Sequence, residues 1–453
     1  MGLAQLKMTD TMAQGKTVIV GLGKTGLSCA RFLARQGADV MVVDSRAEPP
    51  GKNELQQELP EVMTQFGPFD AALLQQAELL VVSPGVSLRE PAIAVAIEAG
   101  VEVIGDIELF ARHVNAPVIA ITGSNGKSTV TMMVGEMARA AKRNVCVGGN
   151  IGTPALELLQ DDAELYVLEL SSFQLETTTS LKPVAAVVLN VSQDHLDRYH
   201  DMDEYAVAKE RIYHGAEHRI INLDDPVVAT WGGEDALCLR FTLNQPEGEN
   251  DYGLRWAQGE TWLAKGEALL MPVAELKIAG MHNVANTLAA IALGDSAGLP
   301  MAAMLDALRN FTGLPHRCQW IGEQAGVTWY NDSKATNVGA AGAAINGMSG
   351  KVVLLAGGEG KGQDFTPLRN AMANKGRAAV LFGRDADQIE QALNNVVPVK
   401  RVTTLIDAVK TARTLAQAGD AVLLAPACAS FDMFKGYDDR GNQFAAAVRE
   451  VLA

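Results

Sequence analysis

The chain has 453 residues, enough for about three domains, and 48% of them are hydrophobic, so each domain can bury a core. A balance of 38 Lys and Arg against 53 Asp and Glu gives a formal charge of −15, which excludes broad affinity for nucleic acid or anionic membranes. Five scattered cysteines without a CxxC pair, no apolar run of membrane-spanning length and no signal-peptide core give a further expectation: a soluble cytoplasmic protein with reduced thiols and a short disordered lead, 1–16.

Strand and helix signals alternate along most of the chain, which predicts α/β layers with largely parallel sheets. Residues 17–20 read as a strand, 27–36 as a helix and 38–43 as a second strand. Between the first two lies Gly21-Leu22-Gly23-Lys24-Thr25-Gly26, and Asp44 ends the next strand. This is the dinucleotide fingerprint: a helix N-terminus holds a diphosphate, and a carboxylate waits for a hydroxyl donor. NAD, FAD and a UDP-linked ligand all satisfy it, and a purely structural tight turn is the bland alternative. Arg46 favours an extra phosphate or a uridine over plain NAD. A strand at 79–82 ended by Ser83-Pro84-Gly85, a helix at 91–99 and a strand at 101–104 complete this unit, and 106–115 reads as a connection.

The next strand, 118–121, runs into Thr122-Gly123-Ser124-Asn125-Gly126-Lys127-Ser128-Thr129, after which a helical pattern begins. Glycines let backbone N–H groups close on phosphate oxygens, and the helix N-terminus adds partial positive charge. Lys127 can reach the β- and γ-phosphates of a nucleoside triphosphate, and the Ser128 hydroxyl can face Mg²⁺. The standard first glycine is replaced by Ile121, so the loop is a short variant. Strands at 166–170 and 185–190, a helix at 204–213 and a strand at 220–222 follow. Glu169 ends one strand, where a carboxylate can complete a magnesium shell begun by Ser128. His195 follows another, but a lone histidine suits packing or capping better than magnesium. Periodicity makes Lys209 a surface lysine with no role of its own.

Short alternating runs over 238–278 predict an antiparallel β excursion, and an Ala-rich helix spans 283–297. Asn283 is a good N-cap for it, and Asn286 has the paired donor and acceptor of a base-edge reader. A linker at 311–315 places a boundary near Gly313. Beyond it, strands at 327–330, 351–355, 378–381 and 421–424 repeat the α/β theme. Polar or Gly-rich segments at 315–317, 331–337, 357–362 and 426–432 adjoin strand ends, the positions where such folds bind ligands. Cys428 has no His/Asn partner pattern and reads as a buried small residue. A nicotinamide-dependent oxidoreductase would use the first fingerprint but leave the phosphate loop and the third unit without a role. A non-catalytic nucleotide switch would need no acyl-acceptor site.

The Thr122 to Thr129 loop, Gly-Asp-Ile-Glu-Leu-Phe at 105–110 and Asn-Asp-Ser-Lys-Ala-Thr-Asn at 331–337, in this order, resemble the Mur ligases of bacterial peptidoglycan synthesis. The likeness runs from about Lys16 to the C-terminus, and the last two segments resemble the branch that adds D-glutamate. The resemblance implies three domains: an N-terminal Rossmann-like domain for a UDP-muramoyl substrate (1–105), a central P-loop ATPase-type domain with the β excursion (106–313) and a C-terminal Rossmann-like α/β domain for the amino acid (314–453). It implies an ATP-dependent amide ligase joining D-glutamate to UDP-N-acetylmuramoyl-L-alanine through an acyl phosphate, acting as a monomer with no nucleic-acid or membrane partner.

It also implies residue roles. Gly123, Ser124, Asn125, Gly126, Lys127, Ser128 and Thr129 would cradle ATP, with Asn283, Asn286, Arg317 and Asp332 on the rest of the nucleotide. Lys209 aligns with a lysine that CO₂ carbamylates, so two Mg²⁺ ions become plausible, held by Ser128, Glu169, His195 and that carbamate, with Lys127, His195 and Lys209 the catalytic set. Gly23, Lys24, Thr25, Asp44, Ser45, Arg46, Gly85, Asn150 and Gln174 would touch the UDP-substrate. His195, Lys334, Thr336, Lys361, Ser430, Phe431 and Tyr437 would orient D-glutamate. Lys24, Phe431 and Tyr437 depart from the familiar pattern without removing a group the chemistry needs.

Overall fold

The computed structural model describes residues 16–192, 198–232, 238–278 and 280–452. His195 and most of the lead expected at 1–16 lie outside the described residues. Two compact units emerge: one runs to Gly253 and includes 265–268 and 288–304, and the other takes 254–264, 269–287 and 305 onward.

The first unit holds two parallel sheets. In the N-terminal sheet, β1 (Thr17–Val20), β2 (Val40–Asp44), β3 (Met63–Phe66), β4 (Leu79–Val82) and β5 (Glu102–Ile104) lie in the order β3-β2-β1-β4-β5, all parallel. The central strands β1, β2 and β4 bury almost every residue, because helices cover both faces, so they read as unbroken apolar runs. β3 has no such run: Met63 and Thr64 are exposed, and sequence patterning misses it. The first helix, Lys24–Arg35, starts three residues earlier than its apolar pattern because the glycine turn itself supplies its N-terminus. A Cβ on Gly26 would stand 1.9 Å from the Gly21 carbonyl oxygen, so only glycine lets turn and helix approach this closely. The stretch expected as a connection at 106–115 contains a helix, Asp106–Ala111, which buries Ile107, Leu109 and Phe110.

The next sheet contains β6 (Val118–Thr122), β7 (Val145–Gly149), β8 (Leu165–Glu169), β9 (Ala185–Val188), β10 (His218–Asn222) and β11 (Cys238–Phe241), in the order β11-β10-β9-β6-β8-β7. Every pair among these is parallel. Cys238–Phe241, where the antiparallel excursion is expected to begin, instead pairs in parallel with β10, because the chain crosses over after β10 and returns in the same direction. Tyr252, at the start of β12 (Tyr252–Ala257), also pairs in parallel, with Phe241. β13 (Glu260–Lys265) and β14 (Ala268–Pro272) follow β12 as successive neighbours.

The second unit carries β15 (Gln319–Gln324), β16 (Val327–Asn331), β17 (Val352–Gly357), β18 (Gly376–Phe382), β19 (Val399–Arg401) and β20 (Ala421–Leu424). Their order is β15-β16-β20-β17-β18-β19, parallel except for the antiparallel edge pair β15–β16. Among the described residues no helix is long and apolar enough to cross a membrane.

Candidate active site

In an open α/β sheet, ligands bind at the carboxyl ends of the strands. The candidate residues collect there in all three sheets. The Gly21–Gly26 turn follows β1 and the Ser83-Pro84-Gly85 turn follows its neighbour β4; the Ser83 hydroxyl donates to the Gly21 carbonyl at 2.9 Å. The phosphate loop follows β6, Glu169 ends β8 beside it, and Asn190 follows β9 on the other side.

The phosphate loop is built for anions. Gly123 and Gly126 have φ of +152° and +84°, conformations that free the backbone to curl ahead of the helix Lys127–Ala140. Asn190 staples the loop from below: its Oδ1 accepts from Asn125 N–H at 2.8 Å, and its Nδ2 donates to Asn125 O at 3.1 Å. The Ser124 hydroxyl accepts from Ser192 N–H at 2.9 Å and meets the Tyr205 hydroxyl at 3.2 Å. Lys127 Nζ donates to the carbonyls of Gly123 (2.7 Å) and Ser124 (3.1 Å), folded over the loop it would leave for a phosphate. Thr129 sits half-buried in the same first helical turn.

Beside it, the Ser128 hydroxyl donates to Glu169 Oε2 at 2.7 Å, and Asn150 Nδ2 donates to Oε1 at 2.8 Å. Glu169 is only 3% exposed. Asn150, expected on the UDP-substrate, is thereby placed on the same carboxylate as Ser128. This hydroxyl–carboxylate pair is the hard oxygen donor set that Mg²⁺ prefers, so the residues fit that ion.

Lys209 is the largest departure from periodicity. It is 2% exposed, not a surface residue, because the helix Met202–Glu210 turns it inward with Tyr205, one turn earlier. Its Nζ lies 3.1 Å from the Gly123 carbonyl and 4.5 Å from the centre of the Tyr205 ring. Tyr205 and Lys209 share one helix face at i and i+4, but the rest of the helix carries no apolar stripe to mark that face as buried.

The N-terminal residues are more occupied than expected. Asp44 is buried, and its Oδ2 accepts from Leu22 N–H (2.7 Å) and Arg46 Nη2 (2.7 Å) while its Oδ1 takes Arg46 N–H and Nε (2.9 and 2.8 Å). These donors outweigh desolvation and hold the carboxyl below its ordinary range. Asp44 and Arg46 thus brace the glycine turn as a unit. Lys24 Nζ donates to the Gly152 carbonyl at 2.6 Å, near Asn150 in sequence. Gly23 and Thr25 are half-buried, and Ser45 and Gly85 lie exposed on turns. Gln174 is buried: its side-chain oxygen accepts from Ser171 N–H at 3.0 Å in a capping box, and its Nε2 donates to Asp106 Oδ2 at 2.8 Å. Its polar ends are engaged inside the protein, which sets it apart from the exposed positions expected to meet a ligand.

In the second unit Asn283 lies inside the helix Met281–Ser296 rather than capping it, and accepts from Asn286 Nδ2 at 3.2 Å. Arg317 is exposed. Asp332 accepts from Cys318 N–H at 3.1 Å, and burial raises its pKa to about 6, partly offset by that bond and by Arg317. The segment after β16 brings Lys334 Nζ to 5.3 Å from the Tyr437 ring centre. Thr336 is half-buried, Lys361 is exposed with φ of +53°, and Ser430 is buried. Phe431 is 69% exposed, an uncommon setting for a large apolar ring and one suited to contact with a ligand or moving segment. Cys428 is fully buried, and burial pushes its thiol up to about 12, which agrees with an inert residue.

Comparison with known proteins agrees with this layout. Residues 15–105 match the Mur ligase MurD-like N-terminal domain, 121–294 the Mur ligase middle domain and 316–428 the Mur ligase glutamate ligase domain. The UDP-N-acetylmuramoylalanine–D-glutamate ligase of Nitrosococcus oceani is 56% identical over 440 residues, covering 96% of this chain and 97% of that protein. Its namesake in Pseudomonas aeruginosa is 55% identical over 438 residues, covering 96% and 98%. Among solved structures, the UDP-N-acetylmuramate-alanine ligase MurC of Thermotoga maritima matches with a TM-score of 0.55 at 21% identity, covering 96% of this chain and all of that one. A pseudomurein peptide ligase type C from Methanothermus fervidus gives 0.52 at 18% identity, covering 97% and 100%. With three sheets, a phosphate loop of the expected short form and relatives of this identity along nearly its whole length, the chain belongs to the Mur ligase family.

Proposed function

We propose that this chain joins D-glutamate to UDP-N-acetylmuramoyl-L-alanine at the expense of ATP, in the synthesis of peptidoglycan precursors. The geometric observation that carries the reading is the Ser128 hydroxyl bonded to the buried Glu169 carboxylate beside the phosphate loop, on a chain 56% identical to a curated ligase of that name. The N-terminal part, to about 105, takes the UDP-sugar; 106–313 takes ATP; and 314–453 takes the amino acid.

The terminal L-alanine carboxylate attacks the γ-phosphorus of ATP, forming an acyl phosphate and releasing ADP. The D-glutamate amine then attacks the acyl carbon, loses its proton, and phosphate departs from the tetrahedral intermediate. The loop N–H groups hold the phosphates, and Lys127 swings from the Gly123 and Ser124 carbonyls to neutralise charge on the transferring group. Magnesium, when bound at Ser128 and Glu169, supplies Lewis-acid neutralisation of the phosphate oxygens. Addition of CO₂ to the Lys209 Nζ lone pair, with loss of a proton, would make a carboxylate beside Gly123 that, with His195, would supply ligands for a second ion. Asn283, Asn286, Arg317 and Asp332 face the nucleoside. Lys334, Thr336, Lys361, Ser430, Phe431 and Tyr437 receive D-glutamate. The glycine turn, Lys24, Thr25, Asp44, Ser45, Arg46 and Gly85 receive the UDP-sugar. Both anionic substrates must be positioned while water is kept from the acyl phosphate.

A phosphate-release assay tests the reading. Release requires UDP-N-acetylmuramoyl-L-alanine and D-glutamate together. Equal rates with glycine, L-lysine or meso-diaminopimelate would refute the amino-acid assignment, and ATP hydrolysis indifferent to both substrates would refute the ligase.

A further inference from the structure

We propose that Arg440 is a positioning residue for the amino acid, its buried guanidinium tying together the loops that carry Lys334, Thr336 and Ser430 and so setting the affinity for D-glutamate. The proposal rests on the reading of those loops as the D-glutamate site.

Arg440 stands one turn after Tyr437 in the helix Tyr437–Leu452 and is fully buried. Its Nε donates to Ser333 Oγ at 3.0 Å, and its Nη2 donates to Ser333 O at 2.9 Å and Cys428 O at 3.1 Å. Longer bonds run from Nη1 to Ala429 O at 3.4 Å and Gly357 O at 3.5 Å. One planar fork therefore grips the segments that follow β16, β20 and β17, three neighbouring strands. Each segment carries a residue assigned to the amino acid within a few positions: Lys334 and Thr336, Ser430, and Lys361.

The Ser333 hydroxyl extends the grip by donating to the Tyr437 carbonyl at 2.7 Å, which ties the helix start back to the same loop. On the other side, Glu359 N–H donates to Ala429 O at 3.0 Å and Ala429 N–H returns a bond to Glu359 O at 2.9 Å. The loops are thus cross-linked to one another and to Arg440.

These five acceptors are neutral oxygens, and burial pulls the guanidinium down to about 10 while the Asp432 carboxylate pulls it partway back. Burying a cation against neutral partners costs stability that an apolar side chain of the same size would not cost. A fork with five fixed donors is nevertheless the side chain that can hold several carbonyls in one geometry. Lysine offers a point charge and cannot reproduce it.

The test is steady-state phosphate release with D-glutamate varied at saturating ATP and UDP-N-acetylmuramoyl-L-alanine, for the unaltered chain, Arg440→Met, Arg440→Lys and Ser333→Ala. Arg440→Met raises the KM for D-glutamate about tenfold or more, with the KM values for ATP and the UDP-sugar within about twofold. Arg440→Lys recovers part of the loss, and Ser333→Ala raises the same KM roughly threefold. Should Arg440→Met fail to fold, the other two variants decide. An unchanged KM for D-glutamate, or three KM values moving together with a fall in melting temperature, overturns the proposal in favour of a purely structural arginine. Absence of D-glutamate-dependent release in the unaltered chain overturns the underlying reading itself, and this proposal with it.

Discussion

The phosphate loop and the segments around Arg440, both proposed to receive anionic ligands, fix their polar groups in opposite ways. The loop does it with consecutive residues: Gly123 and Gly126 bend the backbone, Lys127 and Ser128 follow, and the helix begins at once. The second-unit segments do it after β16, β17 and β20, gripped by one side chain from a fourth. A contiguous site is specified locally and survives in the sequence as a motif. An assembled site is specified by strand order and by buried bonds, and its key residue carries no spacing signature.

The sharpest way to break this contrast is at Lys209, which belongs to the contiguous site only through folding. Lys209→Ala lowers kcat by about 10²–10³-fold, the scale of losing a preorganised charged group at a phosphoryl-transfer site. A short carboxylate added to the variant restores part of the rate. Wild-type activity in the variant would dismiss the carbamate. Glu169→Gln comes next: the amide keeps the shape and removes the charge. Its expected cost is about tenfold to 10²-fold in kcat with a raised magnesium requirement, read by titrating the metal in the same assay.

How much was legible in the sequence follows the same division. The apolar runs of β1, β2, β4, β6, β8 and β9 announced themselves because both faces of a parallel sheet are buried. β3 and the helix at Asp106–Ala111 did not, the first because it is half exposed and the second because it is shorter than two helical turns. Glu169 and Ser128 were expected together, and the 2.7 Å bond joins them. Lys209 gained a role only from family resemblance, since its helix is nearly evenly polar around its axis and periodicity cannot find its buried side. Asp44 was expected to wait for a ligand, but Arg46, two residues on, occupies it. Arg440 and Arg198 had no signal of their own, because most of their partners lie tens of residues or more away.

Arg198 gives a smaller and more selective effect. Its guanidinium donates to Pro84 O at 2.7 Å and Val86 O at 3.0 Å, lies 4.2 Å over the Phe173 ring, and has Glu176 at 3.5 Å. It thereby holds the turn after β4 whose Ser83 hydroxyl braces the Gly21 carbonyl. Arg198→Ala raises the KM for the UDP-sugar about three- to tenfold and leaves the KM for ATP nearly unchanged. Equal shifts in both would show that the clamp serves the whole unit and not the glycine turn.

The smallest effect concerns stability, at two acids on one short helix that burial treats in opposite ways. Glu108 accepts from Thr179 N–H, Ser180 N–H, the Ser180 hydroxyl and Arg112, and these bonds outweigh desolvation and bring it down to about 2. Asp106 is fully buried beside Cys29, and among the described residues only Gln174 Nε2 reaches it as a side-chain donor while its Oδ1 finds no partner, so desolvation raises it to about 6. A carboxyl raised in the folded state binds more protons folded than unfolded between about 3.8 and 6, so its contribution is lost as pH rises through that window. A lowered carboxyl such as Glu108 contributes stability above about 4.5 and loses it as pH falls toward 2. From about pH 4.5 to 6, then, the Asp106 slope acts without opposition from Glu108. Asp106→Asn removes the buried charge and keeps an oxygen for Gln174. Urea unfolding at pH 4.5, 6 and 8 should show the variant's stability falling less over that interval, leaving it about 1–3 kcal/mol ahead at pH 8 relative to its position at pH 4.5. An identical slope in both proteins would mean that Asp106 stays ionised in the fold, with a donor to its Oδ1 that compensates for burial as the bonds to Glu108 do.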